Sequence, residues 1–185
     1  TTLMMSSMEE MTVGSVEDDQ NWDIQSNVLS GGEDEVIQWA DDKGGYHERI
    51  ITFPANPIND SRVISAIGME VLSTESSAMI QLDLKEGKLP EAGLQTNQIL
   101  IDEGLNHFLG WETGDIQTLV FGSTPAPVEI VGITQGEMSR TVYFHRSDLA
   151  KIVGVEATAV LIDLPEGAVA DSDLGNVSLV VIELS

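Results

Sequence analysis

Apolar residues recur at two periods along this chain, and the switching between them sets the expected elements. Leu3, Met4, Met8, Met11 and then Ser15 follow at steps of three and four, which predicts an amphipathic helix within residues 1–20. Such a helix suits a cover for the domain's own core, a continuation of a membrane helix, or a methionine-rich partner surface. Residues 21–29 alternate loosely through Trp22, Ile24 and Val28, as a half-buried strand does. After Ser30-Gly31-Gly32, three carboxylates (Glu33, Asp34, Glu35) precede Val36, Ile37, Trp39 and Ala40, a helix that ends at Gly44-Gly45. Carboxylates in a first helical turn are favoured by about 0.3–1 kcal/mol each when exposed. They lack the spaced ligands and turn glycine of a calcium loop. Residues 46–53 read as a strand stopped by Pro54 and Pro57. Residues 62–72 read as another, with Gly68 at a bulge or bend.

Met79, Leu82 and Leu84 lead to a Gly87-Lys88-Leu89-Pro90 turn, and Gln98-Ile99-Leu100-Ile101 follows as a buried strand. Asp102 sits where an N-cap belongs, ahead of Leu105, Phe108 and Leu109, and Gly110 stops that helix. Gly114-Asp115 turns the chain into a strand over 116–121, and 128–133 returns antiparallel after a loop holding Pro125 and Pro127. A strand at 141–144 and a helix capped at Ser147-Asp148 and running to Val153 come next. Then follow a strand at 157–164, a short helix at 166–174 and a strand at 177–184. This order predicts an α+β fold. Residues 21–72 and 156–185 would close into a ferredoxin-like split βαβ lobe, with residues 73–155 as an inserted small α/β lobe.

Composition narrows the function. With 42% hydrophobic residues among 185, the chain can bury a sizeable interior, built on Val, Ile, Leu and Met because aromatics are only 5%. The absence of cysteine excludes a disulfide framework, a thiolate nucleophile and any Cys-ligated metal. A formal net charge of -23 argues against nucleic acid and anionic lipid as partners. It leaves a cationic ligand or partner, or simple solubility in a salty exterior. No segment reaches the roughly 20 apolar residues of a spanning helix. Residues 1–19 lack the basic start and apolar block of a signal peptide. A piece cut from between two membrane helices and a mature secreted protein both fit these ends.

Catalytic signatures are missing. His47, His107 and His145 are far apart and show no metal-ligand spacing, and there is no G-x-S-x-G elbow or phosphate-binding G-x-x-x-x-G-K-[ST] loop. Asp171 and Asp173 suit either cation binding or the capping of a short helix. Catalytic, cofactor and metal residues are therefore assigned to none. Trp22 and Trp39 read as core. Trp111, after a helix-stopping glycine, reads as a partly exposed contact, together with the loop residues Gln135, Glu137, Met138 and Arg140.

Residues 85–133 resemble one stretch of the extracytoplasmic core domain of ABC-transporter permeases of the MacB/FtsX type. In that family the stretch runs as a G-R-x-P turn, an E-I-V-L strand, a D-E-G-L-A helix start, L-G-x-x-V-G-D and a strand ending V-V-G-I. The matching positions here are Gly87, Pro90, Ile99, Leu100, Asp102, Glu103, Gly104, Leu105, Leu109, Gly110, Gly114, Asp115, Val131, Gly132 and Ile133. Lys88 departs from the family's Arg, and Asn97-Gln98 from the acid that often opens the strand. The resemblance implies an extracytoplasmic domain lying between the first two membrane helices of a permease, with a porter-type lobe. It implies no chemistry of its own and no cofactor. Implied partners are a cytoplasmic ABC ATPase acting through the membrane helices and an envelope adaptor, lipoprotein or cell-wall hydrolase, with a homodimer in the intact permease. Two other readings stay open: a secreted or tethered module binding a small molecule or cation, and an acid hydrolase using two carboxylates.

Overall fold

The computed structural model describes residues 24–28, 33–42, 46–136, 138–163 and 178–183. The expected helices within 1–20 and 166–174, with Trp22, Asp171 and Asp173, lie outside the described residues. Parallel and antiparallel strand pairs with a few short helices make this an α+β fold, as expected. The chain divides into two compact units, one from Thr1–Ile50, Glu75–Gln81 and Ala157–Ser185, the other from Ile51–Thr74 and Leu82–Glu156.

The first unit holds β1 (Ile24–Val28), α1 (Glu33–Asp42), the first half of β2 (Tyr46–Pro57), β9 (Ala159–Asp163) and β10 (Ser178–Glu183). Their order is β10-β1-β9-β2, and every neighbouring pair is antiparallel. In β9, Ala159, Val160, Leu161 and Ile162 are all buried, the near-continuous apolar run of an inner strand. Val36 and Ala40, one turn apart on α1, are fully buried, and α1 packs on β9. Pro54 does not stop β2, which runs through it and ends at Pro57. The strand changes partners there, pairing β9 from Tyr46 to Ile50 and β6 only at Asn56 and Pro57.

In the second unit stand β3 (Ile64–Met69), β4 (Leu84–Gly87), β5 (Asn97–Asp102), α2 (Glu103–Leu109), β6 (Ile116–Phe121), β7 (Thr124–Thr134), β8 (Thr141–His145) and α3 (Arg146–Val153). The order is β3-β8-β5-β7-β4, with β6 beside the first half of β7. The β3–β8 and β5–β7 pairs are parallel, whereas β8–β5 and β7–β4 are antiparallel. The sequence reading keeps residues 62–72 with the chain ends, but β3 belongs to this unit, because it pairs β8 and packs against α3.

Ile99, Leu100 and Ile101 of β5 are fully buried, with Leu105 from α2 and Leu149 from α3. The rings of Phe53, Phe121 and Phe144 run in series, with centroids 6.2 and 6.0 Å apart. Burial of each such side chain contributes about 1.5–3 kcal/mol, which makes this cluster the main source of the unit's stability.

Several local expectations need correction. Gly68 forms no bulge; it pairs in register with Phe144, and a Cβ there would lie 3.1 Å from Arg146 Cα and Leu149 Cδ2. Its smallness lets α3 sit close. Pro125 and Pro127 lie in β7, not in a loop. The Thr118 carbonyl accepts from Ile58 N on its far side, so Pro127, opposite Thr118, turns its nitrogen away from β6. Pro125, two residues earlier, faces the same way, and β5 pairs that edge only from Val128 onward. Ser147 and Asp148 are not the cap of α3; His145 occupies that position without a side-chain cap bond. Asp148 is buried in the first turn, and its Oδ1 accepts from Gly93 N at 3.0 Å.

The Gly87 turn is also a strand end, since β4 pairs β7 with Gly87 opposite Gly132. Gly87 has φ +87°, and a Cβ there would lie 2.2 Å from Val131 O and 2.4 Å from Gly132 Cα. Gly93 also has positive φ but faces open space. Gly87→Ala is expected to cost about 3 kcal/mol and Gly93→Ala about 1 kcal/mol, read from urea unfolding midpoints.

Candidate functional site

Three of the family-like residues, Asp102, Glu103 and Gly104, meet at the start of α2 and hold the connection from β7 to β8. Asp102 ends β5 in extended conformation, fully buried, and caps the helix that follows: its Oδ1 accepts from Leu105 N at 2.9 Å. Its Oδ2 accepts from Thr141 N at 3.1 Å and from Ser139 Oγ at 3.3 Å. Glu103 Oε1 accepts from Gly136 N at 2.6 Å, and Lys85 Nζ approaches Oε2 at 3.4 Å. Gly104 supplies clearance, because a Cβ there would stand 2.8 Å from the Met138 carbonyl carbon. Three consecutive residues thus fasten one loop.

That loop, residues 135–140, is anchored further by Gln135 N donating to Asp83 O at 2.7 Å and by Ser65 N donating to Arg140 O at 3.1 Å. Gly136 (φ 95°) and Arg140 (φ 58°) both take left-handed conformation, which costs a non-glycine residue of the order of 1 kcal/mol. Gln135 and Arg140 are exposed, and Met138 is 52% exposed. Glu137 lies outside the described residues. Phe108, one helical turn after Gly104, is 56% exposed, and its ring packs edge-on to His107 with centroids 4.8 Å apart.

The Gly136 amide, ahead of the Lys85 ammonium, holds the Glu103 carboxyl below the ordinary glutamate range, with partial burial pulling the other way. A carboxylate accepting a backbone amide is favoured in its charged form. The tether is therefore an ionic one at neutral pH.

The remaining expected residues are structural. Gly110 closes α2 at φ 71°, and Gly114, at φ 99°, donates to Ile130 O at 2.8 Å. Asp115 Oδ2 accepts from Glu112 N at 2.9 Å, and its carbonyl accepts from Ile130 N at 2.9 Å. Buried Pro90 offers its carbonyl to His145 Nε2 at 2.7 Å, so the ring donates. Gly132 has Leu100 Cδ2 at 2.8 Å from where a Cβ would stand. Trp111 is not a contact residue: it is 6% exposed within the core cluster, and its carbonyl accepts from Asn106 Nδ2 at 2.7 Å. The glycine before it ends α2 in left-handed conformation, and the indole that follows is buried in the core.

A cleft of ≈ 240 Å³ is lined by Glu70, His145, Arg146 and Ser147. Arg146 Nε lies 3.3 Å from Glu70 Oε1, and Nη1 lies 3.0 Å from Glu156 Oε2. Two carboxylates answer its charge, leaving little to attract an anion. Among the described residues no group of three or more histidines and carboxylates could hold a metal ion. No helix described is long and apolar enough to cross a membrane.

Sequence reasoning found the cap and the loop but missed their connection, and it named Phe108 beside Leu105 and Leu109 without separating the exposed ring from the buried side chains. The available signal was the pairing of Gly104 with Phe108 at i, i+4: a glycine inside a helix marks a close neighbour, and the residue one turn on shares that face.

No protein-family model and no curated protein matches this chain. Among solved structures it is similar to the extracellular domain of the noncanonic ABC-type transporter YknZ from Gram-positive bacteria. The TM-score is 0.56 at 13% identity, over 89% of this chain and 100% of that one. It is also similar to the periplasmic region of MacB from Actinobacillus actinomycetemcomitans, with a TM-score of 0.46 at 13% identity over 88% and 82% of the two chains. The chain thus has the fold of an ABC-transporter extracellular domain, the class to which residues 85–133 point.

Asp102→Ala is expected to cost about 2–4 kcal/mol in chemical denaturation, from the lost cap and from a buried Thr141 amide left unpartnered. Asp102→Asn recovers less than half, because one amide cannot present acceptors to both Leu105 and Thr141. The folded-state pKa of Glu103 is the lower one, so its tether contributes above the unfolded-state value and fades as pH falls through the folded one. The Gly136 amide resonance is expected to titrate with a midpoint below the ordinary glutamate range, and Glu103→Gln abolishes that titration.

Proposed function

We propose that this chain is the extracytoplasmic domain of a MacB/FtsX-type ABC-transporter permease, a non-catalytic body that couples ATP-driven motion of membrane helices to a substrate or envelope partner. The observation that carries this reading is the fold match to the YknZ extracellular domain, which extends over all of that domain. The motif residues 87–132 lie in the second unit and hold its turns, which supports the same reading. The first unit is read as the porter-type, ferredoxin-like split βαβ lobe and the second as the inserted lobe. The order β10-β1-β9-β2, antiparallel throughout, is what such a lobe requires. Its second crossover would fall within residues 164–177.

On this reading the ATPase is a separate domain or chain, the intact permease is a homodimer, and an envelope adaptor, lipoprotein or cell-wall hydrolase is the external partner. The 135–140 loop is the contact element, to which Glu103 and Asp102 are hydrogen-bonded at Gly136 and Ser139.

The chain has no cysteine, so Ser123→Cys in the exposed turn between β6 and β7 gives it one labelling site. In the full-length protein, with any other cysteines replaced, a membrane-impermeant maleimide is expected to label this site in intact spheroplasts. Labelling only after lysis rejects the extracytoplasmic reading.

A further inference from the structure

An asparagine occupies the turn from β2 to β3 at a position where glycine would be the easier residue. Asp60 N donates to Pro57 O at 3.1 Å, which closes a four-residue turn with Asn59 in its third position at φ 62°. Seven of the nine described residues with positive φ are glycine, which takes that conformation without steric cost. Asn59 keeps a side chain instead, and it is exposed, as is Ser61 two residues on. Neither side chain makes a hydrogen bond among the described residues. Asp60 between them is engaged elsewhere: Arg62 Nε and Nη2 donate to its two oxygens at 3.0 and 2.6 Å, and Arg62 N donates to Oδ1 at 2.9 Å. Residues 59–61 thus present a free carboxamide and a free hydroxyl in one exposed segment, in the order Asn-x-Ser.

We infer that Asn59 is an attachment site for an N-linked oligosaccharide. Asn-x-Ser, with x other than proline, is the acceptor pattern for that modification, and it has to stand in an accessible loop. In the transfer, Nδ2 of Asn59 attacks the anomeric carbon of a sugar chain carried on a polyprenyl phosphate or diphosphate. The N–C1 bond forms, the C1–O bond to phosphate breaks, and one amide proton leaves with the phosphate. A carboxamide bonded within the fold would first have to be released. Asn56 shows the contrast: its Nδ2 donates to Pro57 O at 3.2 Å and to Asp60 O at 3.0 Å, and a proline follows it. The surroundings of the turn supply a second argument. Ile58 is 51% and Val63 64% exposed, so large aliphatic side chains stand in water on either flank of the pattern. The C–H faces of the first sugars cover such side chains, and the polar chain beyond them keeps the tip soluble. A second copy of the pattern, Asn176-Val177-Ser178, has its asparagine outside the described residues. The inference rests on the extracytoplasmic reading, because lipid-linked sugar donors are used on the outer side of the membrane.

The test is mass spectrometry of the full-length protein, purified from its native membranes and digested with trypsin. Cleavage after Arg49 and Arg62 gives one peptide, residues 50–62, that holds Asn59. This peptide is expected to carry a hexose- or hexosamine-containing increment, localised by electron-transfer fragmentation to Asn59 and not to Asn56. Asn59→Gln and Ser61→Ala should each remove the increment, whereas Ser61→Thr retains it, a pattern that follows the acceptor rule and not the turn. Recovery of the peptide only in unmodified form, an increment that survives Ser61→Ala, or a glycan confined to Asn176 overturns the inference. Labelling at position 123 separates the two possible failures. An unmodified peptide in protein labelled from outside rejects the glycan alone, and one in protein labelled only after lysis rejects the extracytoplasmic reading with it.

Discussion

One buried carboxylate joins the parts of the second unit that would otherwise be independent. Asp102 is a β5 residue, the cap of α2 and the acceptor for the start of β8 at once. Burying an ionised group is expensive unless its lone pairs are satisfied, and here two backbone amides and a hydroxyl do so. The helix, the loop and the strand therefore have to be placed together. Each is short, and a seven-residue helix has little stability of its own. Their geometry comes from the shared acceptor and from Leu105, buried directly behind it.

Close backbone approach is the second organising device. At the Gly87–Gly132 pair, the Val131 carbonyl stands where a side chain would be, and Lys88 N donates to that carbonyl at 3.0 Å. The register between β5 and β7 shifts at the same place: Ile99 faces Ile130 and Leu100 faces Gly132, so Val131 is the additional residue of a bulge. The bend lets β7 take β6 along one stretch of its edge and β4 along the next. Gly104 and Gly68 do similar work for a loop and a helix. These positions explain why the glycines sit where the motif has them, with no ligand invoked.

Legibility in the sequence followed how local the cause was. Strands β5 and β9 were readable because Ile99 to Ile101 and Val160 to Ile162 are unbroken apolar runs, and α2 because a capping aspartate and a stop glycine bracket it. Features set by a distant partner were not readable. Gly68 looks like a bulge until α3 is placed over it. Pro54, Pro125 and Pro127 look like terminators until the edge each one faces is known. β4 is short, and Lys85, Glu86 and Gly87 are exposed, so nothing in its pattern announces a strand; its pairing with β7 defines it. Trp111 was misread because a glycine stop tells where a helix ends but not which way the chain then turns.

The order of strands in the first unit has a consequence for biosynthesis. β1 precedes the whole second unit in the chain, yet both of its neighbours, β9 and β10, follow that unit. During synthesis the second unit can mature on the ribosome while β1 waits with both edges bare. Translation pausing, or truncation before Ala159, would leave β1 with no mate. Quality control of this protein must therefore contend with an orphan strand.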